Sequence, residues 1–189
     1  MGVGELIIAV VGSRACSAEE QQVAEKLGLT LARRGVVVLS GLARGIDTAA
    51  LDGVARGGGR AVVVLSTASG EEVYPRSNRN LARQLHLLGG VVVTPFAEPS
   101  RDTYVLRRRL IERNFLMALY CDVGIVVQDD PCITGGTAWM VAFCQQLQRP
   151  LLRLSSCGGL HLSLPSVERR IWWEPELPEL SRHVFRPTV

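Results

Sequence analysis

The chain has 189 residues, 47% of them hydrophobic and 21% charged, which suits one folded domain with a real core and excludes wholesale disorder. Its 21 basic residues are 20 arginines and Lys26, set against 18 acids for a net charge of +3, so no diffuse basic field covers the surface and arginine acts by placement. No run of residues is long and apolar enough to span a bilayer, so no membrane segment is expected.

In chain order, residues 6–11 (LIIAVV) read as a strand. A helix over 18–34 follows, with Val23, Leu27 and Leu31 at four-residue spacing. Residues 36–39 form the next strand, 46–56 a helix, and Gly57-Gly58-Gly59 a break. Residues 61–65 (AVVVL) form a third strand, and a loop with Tyr74-Pro75 leads to a helix over 78–88. Residues 90–93 are a fourth strand, 103–119 a helix, 123–127 a fifth strand, 138–147 a helix and 151–154 a sixth strand.

These strands are continuously apolar, which signals burial on both faces, as in a parallel sheet covered by helices. Their alternation with helices predicts an α/β fold: a Rossmann-like, doubly wound, mostly parallel sheet in three layers, α/β/α. A closed eightfold barrel needs about 200 residues or more. Residues 1–154 are expected to form this domain and 155–189 an irregular extension rich in Gly and Pro. Trp172 and Trp173 would either pin that extension to the body or offer a stacking surface.

The start of the chain lacks a basic region and carries Glu5, unlike a signal peptide. Five cysteines (Cys16, Cys121, Cys132, Cys144, Cys157) contain no CxxC pair, and His86, His161 and His183 are scattered. The expectation is a reduced, soluble, cytoplasmic protein with no metal and no cofactor.

Ligands of open α/β sheets bind at the carboxyl ends of the strands, so the loops there carry the functional reading. The first is Gly12-Ser13-Arg14: either a tight turn with a surface arginine or a close backbone approach with a planar phosphate fork. The second, Ser40-Gly41-Leu42-Ala43-Arg44-Gly45-Ile46-Asp47, opens a helix and predicts an anion site at its N-terminus. Asp47 is either a helix-start carboxylate or, sharing a face with Leu51 and Val54, an inward group orienting Arg44. The loop is neither a Walker loop nor a dinucleotide fingerprint. The third, Thr134-Gly135-Gly136-Thr137, is either a helix cap or a phosphate or ribose cradle.

Leu106, Leu110, Arg113 and Met117 share a helical stripe, with Asn114 alongside. Arg113 and Asn114 on an apolar stripe must be paired inside or face a cleft, because burying them unpaired costs several kcal/mol, roughly 3 or more. Arg107-Arg108-Arg109 is either a solvated face or a phosphate track.

These residues carry a resemblance. Val10 to Arg14, Ser40 to Ala50, Val73-Tyr74-Pro75, Arg113-Asn114 and the last Gly/Thr loop are similar to the DNA-processing protein A family (DprA, also called Smf), over about residues 6–154. That family sits in the Rossmann-like superfamily that also holds the LOG phosphoribohydrolases. The resemblance implies a non-catalytic single-stranded DNA binder that serves DNA processing, recombination and natural transformation. It also implies a recombinase as partner and a homodimer. Carried over, Gly12, Ser13, Arg14, Ser40, Gly41, Arg44, Gly45, Asp47, Arg113 and Asn114 would line the site.

Where the family flanks Arg-Asn with arginines, this chain has Glu112 and Phe115. The loop with Gly135, Gly136 and Thr137 looks closer to LOG-type relatives, but Ala138-Trp139-Met140 follows where those enzymes carry a glutamate. A stand-alone core domain is expected. The alternative function is a nucleotide or nucleotide-sugar pocket, a sensor or a hydrolase. Hydrolysis would draw its acid or base from Asp47, Glu112, Asp129 or Asp130.

Overall fold

The structure is a computed structural model that describes residues 5–157, with the backbone alone of 160–161 and 186–187. Trp172 and Trp173 lie outside the described residues. The elements run β1 (Ile7–Gly12), α1 (Ala18–Arg33), β2 (Val37–Ser40), α2 (Ile46–Arg56), β3 (Ala61–Val64) and a single 3-10 turn (Arg76–Asn78). There follow α3 (Arg79–Leu87), β4 (Val91–Thr94), α4 (Thr103–Tyr120), β5 (Val123–Val127), α5 (Gly135–Gln146) and β6 (Leu151–Leu154). Two-residue strands β7 (Leu160–His161) and β8 (Arg186–Pro187) close the series.

The sheet order is β7-β6-β5-β1-β2-β3-β4-β8. The six longer strands are mutually parallel, and β7 and β8 pair antiparallel at the two edges. The Rossmann-like α/β sheet expected from the apolar runs is therefore present. Alternate residues of each strand feed opposite faces. Ile8, Val10, Val38, Val63 and Ile125 pack with α1, α2 and α3. Ala9, Val11, Leu39, Val64 and Val126 pack with α4 and α5. Both faces are covered, which is why these strands show no polar alternation. On the α4/α5 face Phe115 and Phe143 meet edge to face, 5.3 Å between centroids at 81°.

The order reverses between β1 and β5. Successive strands from β1 step one way to β4, and then the chain crosses back to place β5 on the other side of β1. Gly12 and Val127 are register partners, so the loops after β1 and β5 leave the sheet level with each other and diverge. That divergence opens the crevice in which doubly wound folds bind ligands.

Two boundaries differ from the sequence reading in ways that matter. Strand β2 extends through Ser40, which puts that residue in the sheet rather than the loop. Helix α5 starts at Gly135, three residues before the position expected from apolar spacing. Thr134 is extended (φ −126°, ψ 177°) and Gly135 takes φ +63°, a turn that glycine makes without a Cβ clash. The Gly/Thr loop is thus the first turn of a helix.

Candidate functional site

The crevice is a cavity of about 730 Å³ lined by the β1 loop, Asp47, one stripe of α4 and the start of α5. Gly12, Ser13, Arg14, Asp47, Arg113, Asn114, Gly135, Gly136 and Thr137, all named from sequence, come together on its wall. A second cavity, of about 940 Å³, lies beside it and shares Arg14, Ala15, Ala43, Leu110 and Arg113 with the first. Gly41 and Arg44 line this second space and not the first.

Arg113 is the centre of the arrangement. It is 7% exposed, carried on α4 where Phe115, Met117 and Ala118 anchor the helix in the core. Its Nη1 donates to the Gly41 carbonyl (2.8 Å) and Nη2 to Asn114 Oδ1 (3.1 Å). Its Nε has no partner among the described residues. A Cβ at position 41 would stand 2.4 Å from the guanidinium carbon, so a larger residue there must displace Arg113. Asn114 in turn donates from Nδ2 to the Gly136 carbonyl (2.9 Å), so one amide side chain fixes both the arginine and the first turn of α5.

Asp47, 3% exposed, accepts from the Ala43 amide (3.2 Å). Burial pushes its pKa above the ordinary carboxylate value, while the Arg113 charge, the amides of Ala43 and Gly41 and then Arg14 pull it back. Burial and the nearby Arg14 charge likewise lower the Arg113 pKa, with Asp47 opposing them, but a guanidinium keeps its proton at any working pH. Asp47 therefore serves as counter-ion to Arg113, whereas Arg44, which the sequence paired with it, is exposed and lines the second cavity.

Of the two helix starts that the sequence offers to an anion, the one at α5 is the more open. At α2 the Ile46 amide donates to the Ser13 carbonyl (3.3 Å) and the Thr48 amide to Ala43 (3.1 Å). At α5 Thr134 makes no side-chain cap, and the amides of Gly135, Gly136 and Thr137 find no acceptor among the described residues. Those three donors, with the positive end of a 12-residue helix, face the cavity.

Ser40 and Gly45 sit apart from both cavities. Ser40 is fully buried and its hydroxyl donates to the Val10 carbonyl (2.8 Å), stitching β2 to β1. Gly45 is the N-cap of α2 and borders a shallow groove between α1 and α2. Leu42 adopts φ +58°, the left-handed region that costs a branched residue about 1–2 kcal/mol. It is held there by full burial and by Asn78 Nδ2, which donates to its carbonyl (3.0 Å).

The arginine run on α4 divides three ways. Arg109 is buried, 4.9 Å over the Phe96 ring, and donates to the Glu98 carbonyl. Arg108 pairs with Glu112 (2.6 Å). Arg107 is exposed and lines the first cavity. The sequence reading named Arg107 only within its three-arginine run, as a solvated face or a phosphate track. Its signal was there: it lies three residues before Leu110 and seven before Asn114, on the stripe that faces the crevice.

The four carboxylates considered for acid or base chemistry all have structural work. Asp47 balances Arg113, Glu112 holds Arg108, and Asp130 accepts from the Cys132 amide (2.7 Å). Asp129 accepts from the amide and hydroxyl of Ser156, both at 2.6 Å, which hold it below the usual carboxylate range. Among the described residues no three His, Cys, Asp or Glu side chains cluster as metal ligands, and none of the five cysteines forms a disulfide. No described helix is long and apolar enough to cross a membrane.

The fold and this crevice define the class: a Rossmann-like α/β domain with an arginine-walled cleft at its switch point. Residues 3–157 match the model of the DNA recombination-mediator protein A family, and the chain belongs to that family. A putative DNA processing protein DprA of Mycobacterium tuberculosis is 35% identical over 185 residues, which is 93% of this chain and 45% of the relative. The X-ray structure of DNA processing protein A from Streptococcus pneumoniae is 27% identical with a TM-score of 0.66, over 79% of this chain and 50% of that one. DNA processing protein A from Helicobacter pylori, whose structure concerns a single-stranded DNA binding mode, has a TM-score of 0.68 at 23% identity. That match covers 79% of this chain and 65% of the other, and it speaks to the fold. The chain spans less than half the length of the curated relatives it matches.

Proposed function

We propose that this chain binds single-stranded DNA through its phosphates, without breaking bonds, in the crevice between the β1 loop and the start of α5. The observation that carries the reading is Arg113. A buried guanidinium is pinned at two nitrogens, neighboured by one buried carboxylate and set in the cavity wall. Exposed Arg14 and Arg107 and the three open amides of α5 add donors around the same space. Family membership supports DNA as the source of the phosphate. On this reading the chain works in the cytoplasm in recombination mediation during DNA uptake, as a homodimer that hands DNA to a recombinase.

Fluorescence anisotropy with a labelled oligothymidylate tests it. Affinity should fall log-linearly with salt, and Arg14→Ala and Arg107→Ala should each flatten the slope by about 0.7. Folded protein that leaves the strand unbound at low salt would refute the reading. A second reading rests on size: about 730 Å³ lies in the small-ligand range, so a free nucleotide or nucleotide sugar fits the same donors. A thermal-shift panel of nucleoside monophosphates and nucleotide sugars separates the two. Stabilisation by monomers without oligonucleotide binding would favour the second.

A further inference from the structure

The two loops that bound the crevice diverge from the register partners Gly12 and Val127, and one acidic side chain ties them together again. Glu20 stands in the first turn of α1, 8% exposed and on the wall of the first cavity. One carboxylate oxygen, Oε2, accepts from the Ser17 amide (2.8 Å). The other, Oε1, accepts from the Asp129 amide (2.8 Å), 109 residues along the chain.

The first bond belongs to a capping box, in which the Ser17 hydroxyl accepts in return from the Glu20 amide (3.1 Å). The second does not serve the helix. It closes a ring that runs from Gly12 along the β1 loop to Ser17, across Glu20 to Asp129, and back through Val127 and the sheet. Arg14 lies on the β1 side of that ring and is exposed. The other side is a fixed post. The Asp129 carboxylate accepts from the Ser156 amide and hydroxyl, both at 2.6 Å, and Arg153 Nη1 donates to the Asp129 carbonyl (2.9 Å). This crossbar sets where the β1 loop, and Arg14 with it, stands relative to the loop that leads into α5.

Two observations tie the crossbar to the crevice as well as to the helix. A capping box takes Glu or Gln at this place, but two amide donors need two acceptor oxygens, and only a carboxylate supplies them. By charge alone, moreover, a carboxylate is the wrong group here, because it shares the cavity wall with Arg14, Arg107 and Arg113 and repels a phosphate. Its geometry and its charge therefore act on phosphate binding with opposite signs.

We propose that Glu20 is a positioning residue of the DNA crevice: through its bond to the Asp129 amide it holds the β1 loop so that Arg14 meets the same strand as the α4 arginines. This rests on the DNA reading above and adds to it a residue that itself touches no phosphate.

Fluorescence anisotropy with labelled oligothymidylate tests it on Glu20→Gln, alone and combined with Arg14→Ala or Arg107→Ala. Glutamine keeps the size of the side chain but offers one acceptor oxygen to two amides, so the ring opens. Glu20→Gln should weaken binding about two- to fivefold, the worth of one exposed ion contact, although it removes a negative charge. Arg14→Ala should then cost nothing more in the Glu20→Gln background, whereas Arg107→Ala, carried on α4, should keep its full effect. Ser17→Ala is the control for the helix cap. It removes the hydroxyl and leaves both carboxylate bonds, so it should lower the melting temperature by about 2–4 °C with affinity unchanged. Equal or tighter binding by Glu20→Gln, or a full Arg14→Ala loss in its background, overturns the positioning role and leaves the DNA reading standing. An affinity loss in Ser17→Ala that matches Glu20→Gln overturns it too, because the effect then belongs to the helix. If wild type leaves the strand unbound at low salt, the DNA reading falls and the positioning role with it.

Discussion

Replacing Arg113 by methionine keeps much of the side chain's length and removes its charge and its donors. The Gly41 carbonyl and Asn114 Oδ1 each lose a hydrogen bond, and Asp47, 3% exposed, loses its counter-ion. Removing the charge that compensates a buried carboxylate through space costs about 3–5 kcal/mol. For a domain of this size that is a fall in melting temperature of roughly 6–20 °C. The loss should depend on pH. Burial already raises the Asp47 pKa, and Arg113 is the foremost influence pulling it back down, so the substitution raises it further. A folded-state carboxyl with a raised pKa holds a proton that the unfolded chain has released. Stability therefore falls as pH rises from the ordinary carboxylate range up to the folded pKa. The deficit of Arg113→Met should be largest at neutral and higher pH and shrink on acidification, where Asp47 is neutral in both states. Adding Asp47→Asn should recover part of the loss. Thermal unfolding followed by circular dichroism across the pH range measures both effects. A deficit independent of pH, together with strict additivity of the two substitutions, would refute the charge coupling of Asp47 and Arg113.

Three further substitutions separate scaffold from site. Ser40→Ala removes a fully buried hydroxyl bonded to Val10 and should cost about 1 kcal/mol in denaturant unfolding with no change in oligonucleotide affinity. Gly41→Ala sets a methyl 2.4 Å from the Arg113 guanidinium carbon. It should destabilise by about 1–3 kcal/mol and weaken oligonucleotide binding in anisotropy titrations, since the displaced group is the central donor. Asn78→Ala cuts the ties to Leu42 and Thr48 and should cost about 1–3 kcal/mol in the same unfolding assay, by freeing a left-handed Leu42 that this bond helps hold.

Much of the fold was legible because its signals are local. The apolar runs 6–11 and 123–127 lack polar alternation, since helices cover both sides of the sheet, and together with the strand–helix alternation that pointed to a parallel α/β architecture. Helix α2 fell at Ile46–Arg56 as its spacing and the Gly57 break predict. The start of α5 was not legible, because Gly135 and Gly136 score poorly as helix residues and their place in the first turn depends on Asn114 holding the Gly136 carbonyl.

The same boundary runs through the site. The sequence by itself determined which residues were available: arginine in place of lysine, three glycine-bearing loops at strand ends, and an Arg-Asn pair on an apolar stripe. Only the tertiary structure decided how they were used. It turned Ser40 into the sheet, moved Arg44 to the second cavity, made Asp47 the partner of Arg113, and brought Arg107 and Tyr74 to cavity rims. The physical reason is that a residue's type and spacing are properties of the local chain, while its partner and its exposure depend on which distant segment the sheet order sets beside it. Residues 41, 113 and 136 meet because β1, β2 and β5 are neighbours, and no short-range pattern in the chain records that adjacency.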